Sequence, residues 1–349
     1  MRMNHYSSAD SKMSEKIRVG IIGAGRMAYW HLKGYRKVKG VEIIGIAGRT
    51  KSNIEKLQGK FKVPRGYTDY REMLEKQRPD AVNVITPTYT HCPVVIDSLQ
   101  AGCHVLCEKP MAMNLDEANQ MIEAERRTGK IFMVGFSHRF YKEFVHIKKI
   151  IDQGMLGKIR VAWFRRGINL PPQKWYSEKG ESLGVTCEVA IHAIDWLRWI
   201  INSKVVQISA ELTESNTYPG IDDNVWMVLK FENGALGIVG ASYTFPFLKR
   251  DVGVIGDRMA LTIERGKVVV ERYGHYSLAM LVMKFIKYSF IIPYWLFYNP
   301  FERELEHFIE CIRKGASPAI SSEDGKESLE IALKAIESAH SGKKVQMYL

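Results

Sequence analysis

Three groups of residues in this chain have the types and spacing of working chemistry. Glu188-Val-Ala-Ile-His192-Ala-Ile-Asp195 sets a glutamate and a histidine four apart, which share one face of a helix, and Asp195 falls on the same side. Histidine titrates nearest neutrality, so one flanked by carboxylates a turn away suits general acid–base work. A buried helix whose polar groups satisfy one another would leave the same pattern. Cys107-Glu108-Lys109-Pro110 puts a lysine directly after a short apolar run, where it could stabilise negative charge on an oxygen. Gly23-Ala24-Gly25-Arg26-Met27-Ala28 is a G-x-G-x-x-A turn. There Gly23 permits the tight turn, Gly25 lets the backbone approach a pyrophosphate, and Ala28 allows close helix–strand contact. The diphosphate would meet the N–H groups and positive dipole end of the helix that follows. Gly23, Ala24, Gly25, Arg26 and Met27 are therefore candidate dinucleotide contacts.

These groups need particular elements to hold them. Apolar runs rich in Val and Ile, at Ile17–Ile22, Val41–Ala47, Ala81–Ile85, Val105–Cys107 and Ile131–Phe136, read as buried strands. Between them, Lys51–Phe61, Pro93–Ala101 and Leu115–Arg127 have helical spacing. Asn114 with Glu117 three residues on has the pattern of a capping box. Strand–helix alternation with two-sided burial predicts a parallel, doubly wound sheet of the α/β class, with the glycine turn after its first strand. The lysine then stands at the carboxyl end of the fourth of these runs, where such sheets bind ligands.

Beyond about Phe140 the pattern changes. A helix over Tyr141–Gln153 leads to a strand at Lys158–Arg166, and Glu188–Ile201 reads as one helix. Strands follow at Val205–Glu214, Asn224–Phe231, Ala235–Tyr243, Asp251–Ile255 and Met259–Glu264, with turn signals such as Glu232-Asn233-Gly234. An open, mostly antiparallel sheet is expected. Helices at Glu302–Lys314 and Glu323–His340 finish the chain. The expected organisation is an extension over 1–15, a dinucleotide-binding domain over 16–136, and an α+β domain over 137–349 whose final helix packs back on the first domain.

Composition narrows the classes. The 349 residues exceed what one core usually serves, and 46% hydrophobic with 25% charged residues is a globular balance, excluding disorder and collagen-like repeats. A net charge of +12 fits nucleic acid, an anionic surface or phosphate-bearing small molecules, and no nucleic-acid motif accompanies it. The five cysteines are odd in number and scattered, which points to reduced thiols and a cytoplasmic setting. His91, Cys92, Cys103, His104 and Cys107 lack the paired spacing of zinc ligands, so no metal is expected. The residues through about Glu15 are polar, with no apolar signal core. One stretch, Leu278–Tyr298, is nearly all apolar or aromatic but carries Lys284, Lys287 and Pro293. It reads as an irregular buried helix, with peripheral membrane contact or a cover over a hydrophobic substrate as the alternative.

The end of the second strand bears on the cofactor. An acid there would accept the ribose hydroxyls of NAD; this chain has Ala47-Gly48-Arg49-Thr50-Lys51 instead. Arg49 and Thr50 could hold a 2′-phosphate, which favours NADP over NAD, although an arginine stacked on the adenine would suit either.

In order along the chain, GAGRMA, Ile85-Thr-Pro-Thr-Tyr-Thr-His91, CEKP, Gly135-Phe-Ser-His-Arg-Phe140 and E-x-A-x-H-x-x-D resemble the glucose–fructose oxidoreductase, inositol dehydrogenase and rhizopine-catabolism family, Gfo/Idh/MocA, from Lys16 onward. The resemblance implies a Rossmann domain followed by a domain with a large open sheet that commonly forms homo-oligomers, dimers or tetramers. It also implies NAD(P)-linked oxidation or reduction at a hydroxyl carbon of a sugar, sugar phosphate, nucleotide sugar or cyclitol. Lys109 matches the family's catalytic lysine, His192 its catalytic histidine, and Glu188 the usual aspartate beside it. Thr86, Pro87 and His91 match the segment near the nicotinamide ribose, and Glu108 precedes the lysine as usual. Arg139, Trp175, Glu188 and Asp195 are the implied substrate contacts. The pattern departs at Ser182-Leu183-Gly184, where the family has a glycine triplet, at Ala190, where glycine is common, and at Ser137, where asparagine is common. On this expectation His192 takes the hydroxyl proton as hydride leaves, and Lys109 stabilises the alkoxide. A non-catalytic dinucleotide sensor on the same scaffold, or an enzyme of lipid-linked substrates, are the alternatives; a sensor has no need of Lys109, His192 and Glu188 together.

Overall fold

The computed structural model describes residues 16–169, 180–214, 220–272 and 300–347. The extension before Lys16, Lys174, Trp175 and the apolar 278–298 stretch lie outside the described residues. Two compact units divide the chain: Met1–Gly135 with Phe301–Glu323, and Phe136–Pro300 with Asp324–Leu349.

In the first unit the Val- and Ile-rich runs become strands because both of their faces are covered. They are β1 (Ile17–Ile22), β2 (Val41–Ala47), β4 (Ala81–Val84), β5 (His104–Glu108) and β6 (Phe132–Gly135). A two-residue strand, β3 (Gly66–Tyr67), extends β2, so the Glu-Lys-Pro turn follows the fifth strand of the unit, not the fourth. The strand order is β3-β2-β1-β4-β5-β6, every pair parallel. Helices α1 (Arg26–Tyr35), α2 (Lys51–Phe61), α3 (Tyr70–Gln77), α4 (His91–Gln100) and α5 (Leu115–Thr128) connect the strands. Asn114 caps α5 by accepting from the Glu117 N–H at 2.9 Å, while Glu117 reaches back to the Met113 N–H at 3.0 Å, one residue before the cap itself. Neither β3 nor α3 stands out in the sequence; α3 buries only Met73 and Leu74 behind its cap Asp69.

The second unit carries an eight-stranded sheet. Its strands are β7 (Ile159–Asn169), β8 (Val205–Thr213), β9 (Asn224–Phe231), β10 (Leu236–Ser242), β11 (Thr244–Gly256), β12 (Met259–Glu264), β13 (Lys267–Arg272) and β14 (Val345–Gln346). The order is β13-β12-β11-β7-β10-β9-β8-β14, antiparallel except for the β7–β10 pair. Helix α6 (Lys142–Asp152) and helix α7 (Ile191–Ile201) belong to this unit. Its core is aromatic: Phe144 of α6, Phe164 of β7 and Trp196 of α7 lie with ring centroids 5.3–5.7 Å apart. Strand β11 runs seven residues further back than its apolar run suggests, across an irregular pairing with β7 between Thr244 and Lys249.

Two helices close the chain, α8 (Pro300–Lys314) and α9 (Ser322–Ser341). Helix α8 falls in the first unit, and α9, whose opening Ser322 and Glu323 also belong to the first, runs with the second from Asp324 onward. The reason is local. On α8, Leu305, Phe308 and Ile309 are wholly buried, Glu302 pairs with Lys37 at 2.8 Å, and Arg313 donates to the Lys39 and Gly40 carbonyls. On α9, Ser338 accepts from the Ala210 N–H of β8 at 3.2 Å.

Candidate active site

The carboxyl edge of the parallel sheet gathers the motifs of the first unit. Gly23 donates to the Ala47 carbonyl at 2.8 Å and has φ +119°, and a Cβ there would collide with the Ile85 carbonyl. Only glycine fits that turn. Gly25 is the N-cap of α1 in extended conformation, and a Cβ on it would meet nothing within 4 Å. No side chain caps α1 and no acid lies in its first turn, so its leading N–H groups suit an anion. Ala24 and Met27 are half-buried and Arg26 exposed around this opening, and Ala28 is wholly buried beneath it. Gly48, at the end of β2, has a role the motif does not reveal: a Cβ there would lie 2.8 Å from that of Ala24.

Arg49 is exposed, with its guanidinium 6.0 Å from the ring centre of Tyr89. Thr50 is the extended N-cap of α2 and spends no side-chain hydrogen bond on it. The tip of β2 therefore presents a cation and a hydroxyl and no carboxylate.

Between β4 and α4 the chain makes a single 3₁₀ turn over Thr88–Thr90, after Thr86 and Pro87. The Thr90 hydroxyl donates to Thr86 Oγ1 at 2.7 Å or to the Pro87 carbonyl at 2.8 Å. His91, expected beside the nicotinamide ribose, is buried, with its ring nitrogens each 2.9 Å from a carbonyl, that of Pro110 and that of Thr86. Burial pulls the His91 pKa below its ordinary value, and the two carbonyls oppose that shift. His91 thus joins the Thr86 segment to the Glu-Lys-Pro turn. The Lys109–Pro110 bond is cis, and Lys109 is half-buried.

Glu108, expected among the cofactor contacts, is buried and engaged from behind. His31 Nε2 lies 2.9 Å from Glu108 Oε1, and the Lys109 N–H donates to Oε2 at 3.3 Å. Burial works to raise the Glu108 carboxyl, but the hydrogen bond from His31 and the nearby Lys109 charge outweigh it and leave it below the usual range. Asn83 Nδ2 reaches His31 Nδ1 at 2.9 Å, and the Tyr35 hydroxyl donates to Asn83 Oδ1 at 2.8 Å. Sequence reasoning missed His31, Asn83 and Tyr35. Each is a lone polar residue on an apolar face, and nothing local marks them as one network.

In the second unit the helix expected over Glu188–Ile201 begins with a π turn, Thr186–Ala190, before α7. Such an inserted turn re-aims side chains and recurs at functional sites. Asp222 holds its start, accepting from the Thr186 N–H at 2.8 Å. Burial raises the Asp222 carboxyl above its usual range, while the two Thr186 donors pull it back. Glu188 lies in the π turn and His192 in the first turn of α7, both buried. His138, which the motif reading passed over, stacks on the His192 ring at 4.3 Å and 25° and on Phe164 at 5.4 Å. Phe136 presents a ring edge to His192 at 6.2 Å.

Two expected substrate contacts bind each other. Arg139 grips Asp195 through Nε at 3.0 Å and Nη2 at 2.5 Å, and also reaches Asp324 at 3.1 Å. Burial lowers the Arg139 guanidinium, but Asp195 and Asp324 outweigh it and hold it above its ordinary value. Asp195 is fully buried, so the pair ties α7 to the Ser137–Phe140 turn and to α9. Arg198 adds bonds to the Asp324 carbonyl and Ser328. Of two neighbouring arginines on β7, Arg165 stands 4.0 Å from Asp251 and Arg166 3.4 Å from His138. Among the described residues no group of three or more His, Cys, Asp or Glu is spaced to hold a metal, and no helix is long and apolar enough to cross a membrane.

Comparison with known proteins agrees with these features. Residues 17–136 match the family described as oxidoreductase with an NAD-binding Rossmann fold, and residues 144–269 match the GFO/IDH/MocA C-terminal domain. The chain is 28% identical to the scyllo-inositol 2-dehydrogenase (NAD(+)) of Bacillus subtilis, covering 96% of this chain and 97% of that protein. It is 27% identical to the myo-inositol 2-dehydrogenase of Thermotoga maritima, over 95% and 98%. The crystal structure of a probable dehydrogenase from Thermotoga maritima is similar at a TM-score of 0.78 and 26% identity, over 94% of this chain and 98% of that one. With the glycine turn and the Glu-Lys-Pro turn at one edge of a parallel sheet, and both family models in their expected order, the chain belongs to the Gfo/Idh/MocA family of oxidoreductases, whose N-terminal part is an NAD-binding Rossmann fold.

Proposed function

We propose that this protein oxidises a secondary hydroxyl of a cyclitol or sugar-like polyol, or reduces the matching ketone, with a nicotinamide dinucleotide as partner. One observation carries the reading: a single unit sets the uncapped start of α1 and the half-buried Lys109 at the same edge of its sheet, with His91 tying the Glu-Lys-Pro turn to the Thr86 segment between them. Two relatives named as inositol 2-dehydrogenases and matching nearly end to end support a polyol substrate. When bound, the nicotinamide supplies the hydride-accepting carbon. The chain supplies the rest. His192 accepts the proton of the reacting hydroxyl, Lys109 donates to its oxygen and stabilises the alkoxide, and Glu188 orients the histidine or a neighbouring hydroxyl. Arg49 and Thr50 favour NADP over NAD, because the β2 tip offers a 2′-phosphate donors and no opposing charge.

The experiment is a screen of inositol isomers, sugars and sugar phosphates with both dinucleotides, read at the nicotinamide absorbance. Positioned proton transfer contributes roughly 10²–10⁴ in rate, so His192→Ala and Lys109→Ala are expected to lower turnover at least about tenfold on the best substrate while dinucleotide affinity stays near wild type. Wild-type turnover in either variant would overturn the assignment.

A further inference from the structure

One buried carboxyl of the first unit takes no part in this chemistry. Glu304 of α8 is wholly buried, and neither of its oxygens has a hydrogen-bond partner among the described residues. It lies within electrostatic reach of Glu108 and of Tyr35. Phe301, one helical turn before it, packs its ring 5.1 Å from that of His31. Helix α8 therefore covers the Tyr35–Asn83–His31–Glu108 network, which has a definite polarity. Asn83 Nδ2 donates to His31 Nδ1, so His31 carries its proton on Nε2 and donates to Glu108 Oε1. Glu108 also accepts from the Lys109 N–H. Receiving donors on both oxygens, Glu108 is the carboxylate. A second carboxylate at Glu304, with no donor and a like charge nearby, would be an uncompensated buried ion.

We propose that this network is a positioning device for Lys109: His31 holds Glu108 as the single carboxylate of the Glu-Lys-Pro turn, while Glu304 stays a neutral acid so that no second negative charge competes for the lysine. The proposal rests on the role assigned to Lys109 above. The groups near Glu108 are His31 of α1, His91 of α4, Cys107 and Lys109 of its own segment, and Glu304 of α8, while Tyr35 of α1 lies near Glu304. Burial first, and the Glu108 charge second, hold the Glu304 carboxyl well above the ordinary range. An unfolded glutamate releases its proton near pH ~4.3, so above that pH the folded chain binds a proton that the unfolded chain has lost. Stability from this group is complete below that pH and falls as pH rises toward the folded value.

The test uses the full-length chain. Thermal midpoints of wild type and Glu304→Gln, measured from about pH 5.5 to about pH 8.5, should diverge, with the variant gaining on wild type as pH rises because it has no proton to lose. A difference that stays flat with pH overturns the neutral-acid assignment. His31→Leu should lower kcat at least about tenfold and move the pH profile of kcat, with the dinucleotide KM within about threefold of wild type, and His31→Gln should restore most of the loss. Should His31→Leu fail to fold, Glu108→Gln is expected to lower kcat at least about tenfold and move its pH profile, and a wild-type profile there overturns the positioning role. Wild-type kcat in His31→Leu, or a His31→Gln enzyme as impaired as Lys109→Met, overturns the positioning role. If Lys109→Met itself turns over normally, the reading of Lys109 has failed and the positioning proposal falls with it. If only the His31 variants behave as wild type, that reading stands and this one alone fails.

Discussion

At the residue scale, the proposed dinucleotide contacts have the most definite consequences. Arg49 is exposed at the end of β2 with only a distant approach to Tyr89, so removing it disturbs no core packing. A hydrogen bond to a charged group is worth about 1.5–3 kcal/mol, so Arg49→Ala should weaken NADP binding by roughly tenfold or more. NAD, which lacks the 2′-phosphate, should change by less than about threefold. Fluorescence titration of both dinucleotides checks this, and equal losses for the two would assign Arg49 to the adenine instead. Gly23, Gly25, Thr86, His91 and Lys109 stand at one edge of the sheet, a placement the motifs carry because glycine turns and strand ends are local. Arg139 and Asp195 show the limit. Their residue types suit a substrate, and only the fold shows that the two grip each other 56 positions apart. Trp175 lies outside the described residues.

At the element scale, the turn between β1 and α1 is the most constrained piece of backbone. Gly23 combines φ +119° with a close approach to the Ile85 carbonyl, so Gly23→Ala must strain or shift the loop. Backbone strain of this kind costs about 1–3 kcal/mol, and the displaced loop loses its aim at an anion. The variant should melt several degrees lower, about 2–4 °C per kcal/mol for a chain of this size, and bind either dinucleotide at least about tenfold more weakly. Calorimetry and titration on one preparation check both parts. Buried parallel strands were legible from their Val and Ile runs because two-sided burial leaves no other composition. The two-residue β3 and β14, the polar α3 and the exposed-faced β13 carry too few apolar positions to announce themselves. The π turn at Thr186–Ala190 was invisible for a different reason. It follows from Asp222, 36 residues on, holding the Thr186 end of the segment, which no periodicity records.

At the scale of the whole molecule, the second unit's sheet turns large apolar side chains outward among the described residues. Along β9 burial alternates strictly, with Val225, Met227, Leu229 and Phe231 inward and Trp226 and Val228 outward. Outward Trp226 is 52% exposed and Val228 42%, and Leu236 of β10, on the same face, adds 39%. Three large apolar side chains on one face of two paired strands are more than scattered surface residues, and homo-oligomerisation through this sheet, which the family resemblance implies, would cover them. If it does, Trp226 is central, since aromatic anchors carry much of an interface's energy and their loss typically costs about 2 kcal/mol or more. A two-fold interface contains two copies of each anchor, so Trp226→Glu acts twice and buries two charges. Its side chain points away from the buried face, so the fold should survive. Sedimentation velocity should then show wild type as a dimer or tetramer and Trp226→Glu as a smaller species, with the dinucleotide Kd unchanged because that site lies in the other unit. An unchanged sedimentation coefficient would mean that some other surface of the chain holds the copies together, and a monomeric wild type would mean that the face serves no self-association at all.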